Sequence, residues 1–232
     1  EADHLFLAVQ GLQWQAIGKL DVDRLHREYW DQNEFVVIPQ FLPRDFVEAT
    51  LVPQAQGVKG HLNRNYIPGH KKGGSVSYYT VREQAPLFLD LYRSPDFLAF
   101  LSRLTEARLM LCPDNDPHSC ALYYYTEAGD HIGFHYDTSY YKGARYTILM
   151  GLVDKSTQCK LVCELFKDVP NRTPRTSRAW WCRGPSSTLS RSGEPGLLPS
   201  AGCSPVNTVR PPASRNGLVL VGFCPANRSV GG

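Results

Sequence analysis

The chain has no histidine beyond residue 135, no lysine beyond residue 167 and, past Asp168, a single acidic residue, Glu194. The first absence excludes a metal site that draws an imidazole from the C-terminal part of the chain. No apolar run is long enough to span a bilayer, and no signal-peptide pattern opens the sequence. Charge of one sign is also scarce: the formal balance is only +3, which recommends neither nucleic acid nor a membrane surface as a partner. Seven cysteines form an odd, scattered set in which Cys159 and Cys163 make a lone C-x3-C pair, without the second pair that a zinc site needs. Free thiols in a reducing compartment are the expectation, and cytoplasm with them.

What is present suffices for a core. The 232 residues are 42% hydrophobic, which predicts one folded domain over residues 1–171 followed by a tail over 172–232. Residues 21–30, "DVDRLHREYW", open with a capping aspartate and set Val22, Leu25, Tyr29 and Trp30 at helical spacing. "FVVIP" (35–39) is a short strand closed by proline, and residues 42–52 read as a helix with Pro43 near its start. Residues 57–75 lack periodicity and read as a surface loop, with a lid as one role. Two helices follow over 85–105, divided at Ser94-Pro95.

From Arg108 the period changes to short β-rich segments: "RLMLC", "CALYYY", "HIGFHYD", "RYTILMGLVD" and "KLVCELF". Helices first and antiparallel strands afterwards predict an α+β, mainly β, fold with a helical layer against a sheet sandwich or barrel. Beyond about residue 171, Arg, Ser, Pro and Gly crowd the chain and only "GLVLVGF" (217–223) resembles a strand. Such a composition buries too little apolar area to offset its ordering entropy, so the tail is expected to be largely irregular.

The chemistry-bearing segment is "GDHIGFHYD" (129–137). Residues two apart on a strand share a face, so His135 and Asp137 are expected to project together. An imidazole beside a carboxylate makes two corners of a facial triad for Fe(II); the same pair also fits an exposed strand end. Gly129 and Asp130 suggest a turn, which puts His131 at the surface or in a supporting position. His61, His70 and His118 read as loop residues.

"LYYYTEAGDHIGFHYD", followed by "YTILMGLVD", resembles the core of the iron(II)/2-oxoglutarate-dependent dioxygenases. "LHREYWDQNEFVVIPQFLPRDFVEA" is similar to the helix–strand–helix entry of their phytanoyl- and prolyl-hydroxylase-like branches. The resemblance spans roughly residues 20–168. It implies a double-stranded β-helix, or jelly roll, with supporting N-terminal helices, incomplete at its C-terminus. It also implies Fe(II) and 2-oxoglutarate as cofactors, His135 and Asp137 as iron ligands, and hydroxylation of a small-molecule or side-chain substrate. Tyr123 and Tyr125 match the zone that hydrogen-bonds the oxo-acid, although core packing explains them as well. Tyr140, Tyr141 and Arg145 border the expected mouth and are candidates to meet substrate.

The resemblance also implies a later histidine as third ligand, with a basic residue beyond it, and this chain has no such histidine. Two readings therefore stand: an oxygenase, or a non-catalytic or truncated relative acting as a binding scaffold. A third, nucleic-acid repair, lacks the basic, aromatic-rich groove it needs. The abrupt composition of the tail also fits out-of-frame translation: codons available to residues 179–187 read, from their third base, as Val-Val-Val-Pro-Gly-Thr-Leu-Val. Substrate identity and oligomeric state are not encoded in any motif.

Overall fold

Asp21 opens α2 (Val22–Asp31) as its position predicts, its carboxylate accepting the Arg24 amide at 2.9 Å. That satisfies one of the orphan N–H groups of the first turn. Leu25 and Tyr29, four residues apart, are buried; Trp30, one position further round the helix, is 43% exposed. The computed structural model describes residues 2–135, 145–153, 161–164, 176–179, 186–192, 200–203 and 216–225. Among them no helix is long and apolar enough to cross a membrane.

Among the described residues six further helices accompany α2. α1 (Ala2–Gly18) is tied to the end of α6 (Leu87–Tyr92): Gln13 Nε2 donates to the Leu91 carbonyl at 3.0 Å, and Gln10 Nε2 to that of Asp90 at 3.4 Å. The helix expected over 42–52 begins as α3 (Arg44–Phe46), widens into a π turn (Val47–Leu51) and continues as α4 (Val52–Gly57). Pro53 explains the widening, because it lacks an N–H and its ring crowds the carbonyl four residues back. The Val52 amide reaches the Val47 carbonyl instead, and Val47, Leu51 and Ala55 stay buried. α5 (Tyr78–Gln84) is capped by Ser77, and α7 (Pro95–Thr105) starts at the predicted Ser94-Pro95 break, with Ser94 Oγ accepting the Phe97 amide at 3.3 Å.

Twelve strands form one antiparallel sheet: β1 (Phe35–Pro39), β2 (Asn63–Ile67), β3 (Lys71–Val76), β4 (Leu109–Leu111), β5 (Cys120–Tyr125), β6 (His131–His135), β7 (Arg145–Val153), β8 (Leu161–Glu164), β9 (Thr176–Ala179), β10 (Ser186–Ser192), β11 (Ser200–Cys203) and β12 (Asn216–Pro225). Their order is β1-β10-β7-β12-β5-β3-β6-β11-β8-β9, with β2 beside β3 and β4 beside β12. From β5 onward the described strands pass back and forth between the two arms of this order, except that β8 and β9 follow one another on the same arm. β5, β7, β10 and β12 lie on one arm; β6, β8, β9 and β11 lie on the other.

One expectation is corrected. Residues 57–75 are largely structured: a 3-10 turn (Val58–His61) leads into a β2–β3 hairpin. Pro68 and Gly69 make its turn, with Gly69 at φ +71° and the His70 amide donating to the Ile67 carbonyl at 3.0 Å. Beyond residue 171 the described residues include β9, β10 and β11 besides the anticipated β12. Ladder hydrogen bonds need backbone, not apolar side chains, and strands already in place offer ready partners.

The core lies between helices and one face of the sheet. Val76, Leu122, Tyr124, Ile148, Met150 and Leu152 pack with Leu25, Tyr29, Leu51, Phe88 and Leu104. Cys120 and Cys112 are buried free thiols, and burial pushes the Cys120 thiol up to about 12. The Tyr124 hydroxyl crosses from sheet to helix, donating to the Ala55 carbonyl at 2.5 Å. Tyr124→Phe leaves that carbonyl without its partner and is expected to lower stability by about 1–3 kcal/mol. A fall in the urea midpoint at unchanged m-value checks this.

Candidate functional site

The turn ahead of β6 is fastened by one carboxylate. Asp130, whose side chain is 1% exposed, accepts the amides of Thr126 and Glu127 at 2.8 and 2.9 Å. Both arms of Arg64, reaching from β2, bind it at 3.0 and 2.6 Å, and the second arm also meets Glu127 at 2.9 Å. A buried carboxylate is stabilised when a guanidinium fork and backbone donors fill its lone pairs together. Lys72 Nζ adds a bond to the Ala128 carbonyl at 2.9 Å. The hairpin therefore grips the loop that delivers the chain to residue 131.

Register then decides which face each residue occupies. Lys71 pairs with Ile132 and Lys72 with His131. Gly133 lies against His70: its amide donates to the His70 carbonyl at 2.6 Å, and a Cβ there would come within 3.3 Å of that oxygen. On the other side of β6, Cys203 pairs with Ile132 and Ala201 with His135, a register shift that sets three steps of β6 against two of β11. Ala201 and Cys203 share a face, so their partners do too, as across a β-bulge. Position 135 thus lies on the face of Ile132 and Lys71. Simple alternation from residue 131 would have put it on the opposite one. His131 occupies that opposite face, its Nδ1 2.8 Å from the Gly129 carbonyl.

The same face carries two of the predicted tyrosines. Ser75 pairs with Tyr123 and Gly74 with Tyr124, which aligns Lys71, Gly73 and Ser75 with Tyr123 and Tyr125 and sends Tyr124 to the helical core. Tyr123 is half-buried with Lys71 Nζ 5.4 Å from its ring centroid. Tyr125 is buried, and its ring lies 3.2 Å from where a Cβ on Gly73 would stand. Burial also holds the Lys71 ammonium below the ordinary lysine range. Gly73 and Lys71, absent from the predicted site, belong to the segment read as a loop; the Pro68-Gly69 dipeptide was the signal for a hairpin there.

His135 closes β6 and Arg145 opens β7. Asp137, Tyr140 and Tyr141 lie outside the described residues. No group of three or more His, Cys, Asp or Glu side chains gathers among the described residues. The β11 position paired with residue 135 is an alanine.

No model of a known family matches the sequence, and no curated protein matches it. Solved structures do. A prolyl hydroxylase from Trichoplax adhaerens, in complex with a hypoxia inducible factor oxygen degradation domain peptide, is 14% identical over 87% of this chain and 90% of its own, with a TM-score of 0.59. A prolyl-4-hydroxylase from Pseudomonas putida is 17% identical over 88% and 99%, with a TM-score of 0.51. HygX from Streptomyces hygroscopicus, with nickel and 2-oxoglutarate bound, is 14% identical over 87% of each chain, with a TM-score of 0.56. The chain shares the fold of these proteins.

The clamp makes a graded prediction. Asp130→Asn removes a buried, fully bonded charge and is expected to lower stability by about 3 kcal/mol. Glu127→Gln, at an exposed pair, is expected to change it by less than about 1 kcal/mol. Denaturant titration of both variants at neutral pH separates the two.

Proposed function

We infer that this chain is an iron(II)/2-oxoglutarate-dependent oxygenase built on a double-stranded β-helix, a reading that the two-armed strand order supports. The observation that carries the reading is the β6 register, which brings position 135 onto the face of Tyr123, Tyr125 and Lys71. That face suits an anionic oxo-acid, since two phenols and an ammonium stand there and the buried carboxylate of Asp130 is bound to Arg64. His135 and Asp137 are the ligands for the metal, an N/O donor pair that suits ferrous iron. When bound, iron and 2-oxoglutarate supply oxidative decarboxylation coupled to hydroxylation of a C–H bond.

The protein's own side chains then have separate tasks. Tyr123 and Tyr125 orient the oxo-acid through their hydroxyls while their rings exclude water. Tyr140 and Arg145 meet the substrate, a small molecule or side chain, at the mouth. Buried free thiols at Cys112 and Cys120 support a reducing compartment.

One observation favours a second reading, a scaffold without turnover. Ala201 stands across from residue 135, and the sequence has no later histidine, so two protein ligands rather than three hold the metal. Anaerobic Fe(II) and 2-oxoglutarate decide between them. The weak visible charge-transfer band of the ternary complex is expected with the native chain and absent from His135→Ala. A flat spectrum with the native chain would favour the scaffold. Ala201→His returns an imidazole to the paired position and is expected to tighten Fe(II) binding by about tenfold or more; unchanged affinity would show that the two positions do not share a metal.

A further inference from the structure

We propose that Arg64 is a positioning residue for the metal site: its hold on Asp130 fixes the phase of β6 and so keeps position 135 on the face of Tyr123, Tyr125 and Lys71. The inference rests on the reading of His135 as a metal ligand and adds the residue that delivers it there. Arg64 stands on another element, β2, and acts on the metal only through the strand it fastens.

β6 holds a conflict between its two ends. Strict alternation from His131 would leave position 135 on the face of His131, and a one-residue slip of a strand exchanges its two faces. The observed register escapes that outcome because three steps of β6 stand against two of β11. An extra residue of this kind disrupts the ladder locally, so the unbulged pairing is a close competitor. The bulged register is selected upstream, by bonds from one hairpin. Arg64 of β2 binds Asp130, Lys72 of β3 binds the Ala128 carbonyl, and the His70 carbonyl in the turn accepts the Gly133 amide. Positions 130 and 133 are held, and the extra step falls between Ile132 and position 135.

Of these bonds, the guanidinium contact is the one whose loss strands a charge. Asp130 Oδ2 accepts the Thr126 and Glu127 amides at 2.8 and 2.9 Å and Arg64 Nη1 at 3.0 Å, while Oδ1 takes Arg64 Nη2 at 2.6 Å. The carboxylate side chain is 1% exposed. Without Arg64 it is a buried charge left uncompensated, and it regains water as the turn at Gly129, with φ +81°, opens. Opening releases position 130, and β6 is then free to slip. The coupling is reciprocal. A metal that binds only the register with position 135 on the site face tightens the clamp by the factor by which the clamp tightens the metal.

Two measurements on the full chain with Mn(II) and 2-oxoglutarate test this: free Mn(II) read from its EPR signal, and amide exchange read by mass spectrometry. Arg64→Met is expected to weaken Mn(II) binding by about tenfold or more, and Arg64→Lys to recover part of that loss. Tyr124→Phe, which weakens the core by a route that bypasses β6, should leave Mn(II) affinity unchanged. In the native chain, metal should slow exchange across residues 126–133 by a similar factor, and by more than across α7. That arm needs no variant, so the test stands should Arg64→Met not fold. Mn(II) affinity that survives Arg64→Met overturns the proposal. So does an equal loss in Tyr124→Phe, which would reduce the clamp to general stability, or exchange at 126–133 that metal leaves unchanged. Each of these leaves the oxygenase reading standing, whereas a native chain that binds no Mn(II) removes both.

Discussion

β3 has to satisfy two strands that diverge. Its last three residues pair with β5 and its first two with β6, so this single strand spans the point where the sheet divides into two arms. Backbone hydrogen bonds enforce this, and each face of β3 is shaped to permit it. Gly74 lies so close to Leu62 that a Cβ would come within 2.6 Å of its side chain, and Gly73 leaves room for the Tyr125 ring on the other side. A Cβ at position 74 would collide with the Leu62 side chain, and one at position 73 would press on the Tyr125 ring. The placement of β6 follows from its pairing with Lys71 and Lys72 and from the Gly133 amide's bond to the His70 carbonyl.

Alternation then divides three consecutive tyrosines between two environments. Tyr124 goes to the helices, where its hydroxyl is bonded and burial pushes it up to about 12. Tyr123 and Tyr125 go to the face with Lys71. Identical side chains thus serve packing in one direction and polar recognition in the other, and the pleat alone assigns them.

Much of the helical layer was legible in the sequence because its signals are local. Asp21 and Ser94 cap the helices they precede, and Pro39 closes β1 where the apolar run ends. The β2–β3 hairpin was not legible from periodicity: "NRNYI" is exposed along its whole length and so shows no alternation of polar and apolar residues. β9 to β11 were hidden for a related reason, since Ser- and Arg-rich segments acquire strand geometry only from neighbours far away in sequence. The face of residue 135 was the subtlest case. Its neighbours in sequence predict one side of the strand, whereas contacts with His70 and β11 set the register and reverse it. A shift of that kind is tertiary in origin. Asp130 was read as part of a turn, and its hold on Arg64, 66 positions earlier, is likewise invisible locally.

Cys120 sits in this framework with its thiol pushed up to about 12. At neutral pH it is held as the thiol, not as the thiolate that reacts with peroxide or alkylating reagents. Burial of this first residue of β5 therefore works as chemical protection against such reagents. Its capture by an electrophile would report how often this end of β5 opens.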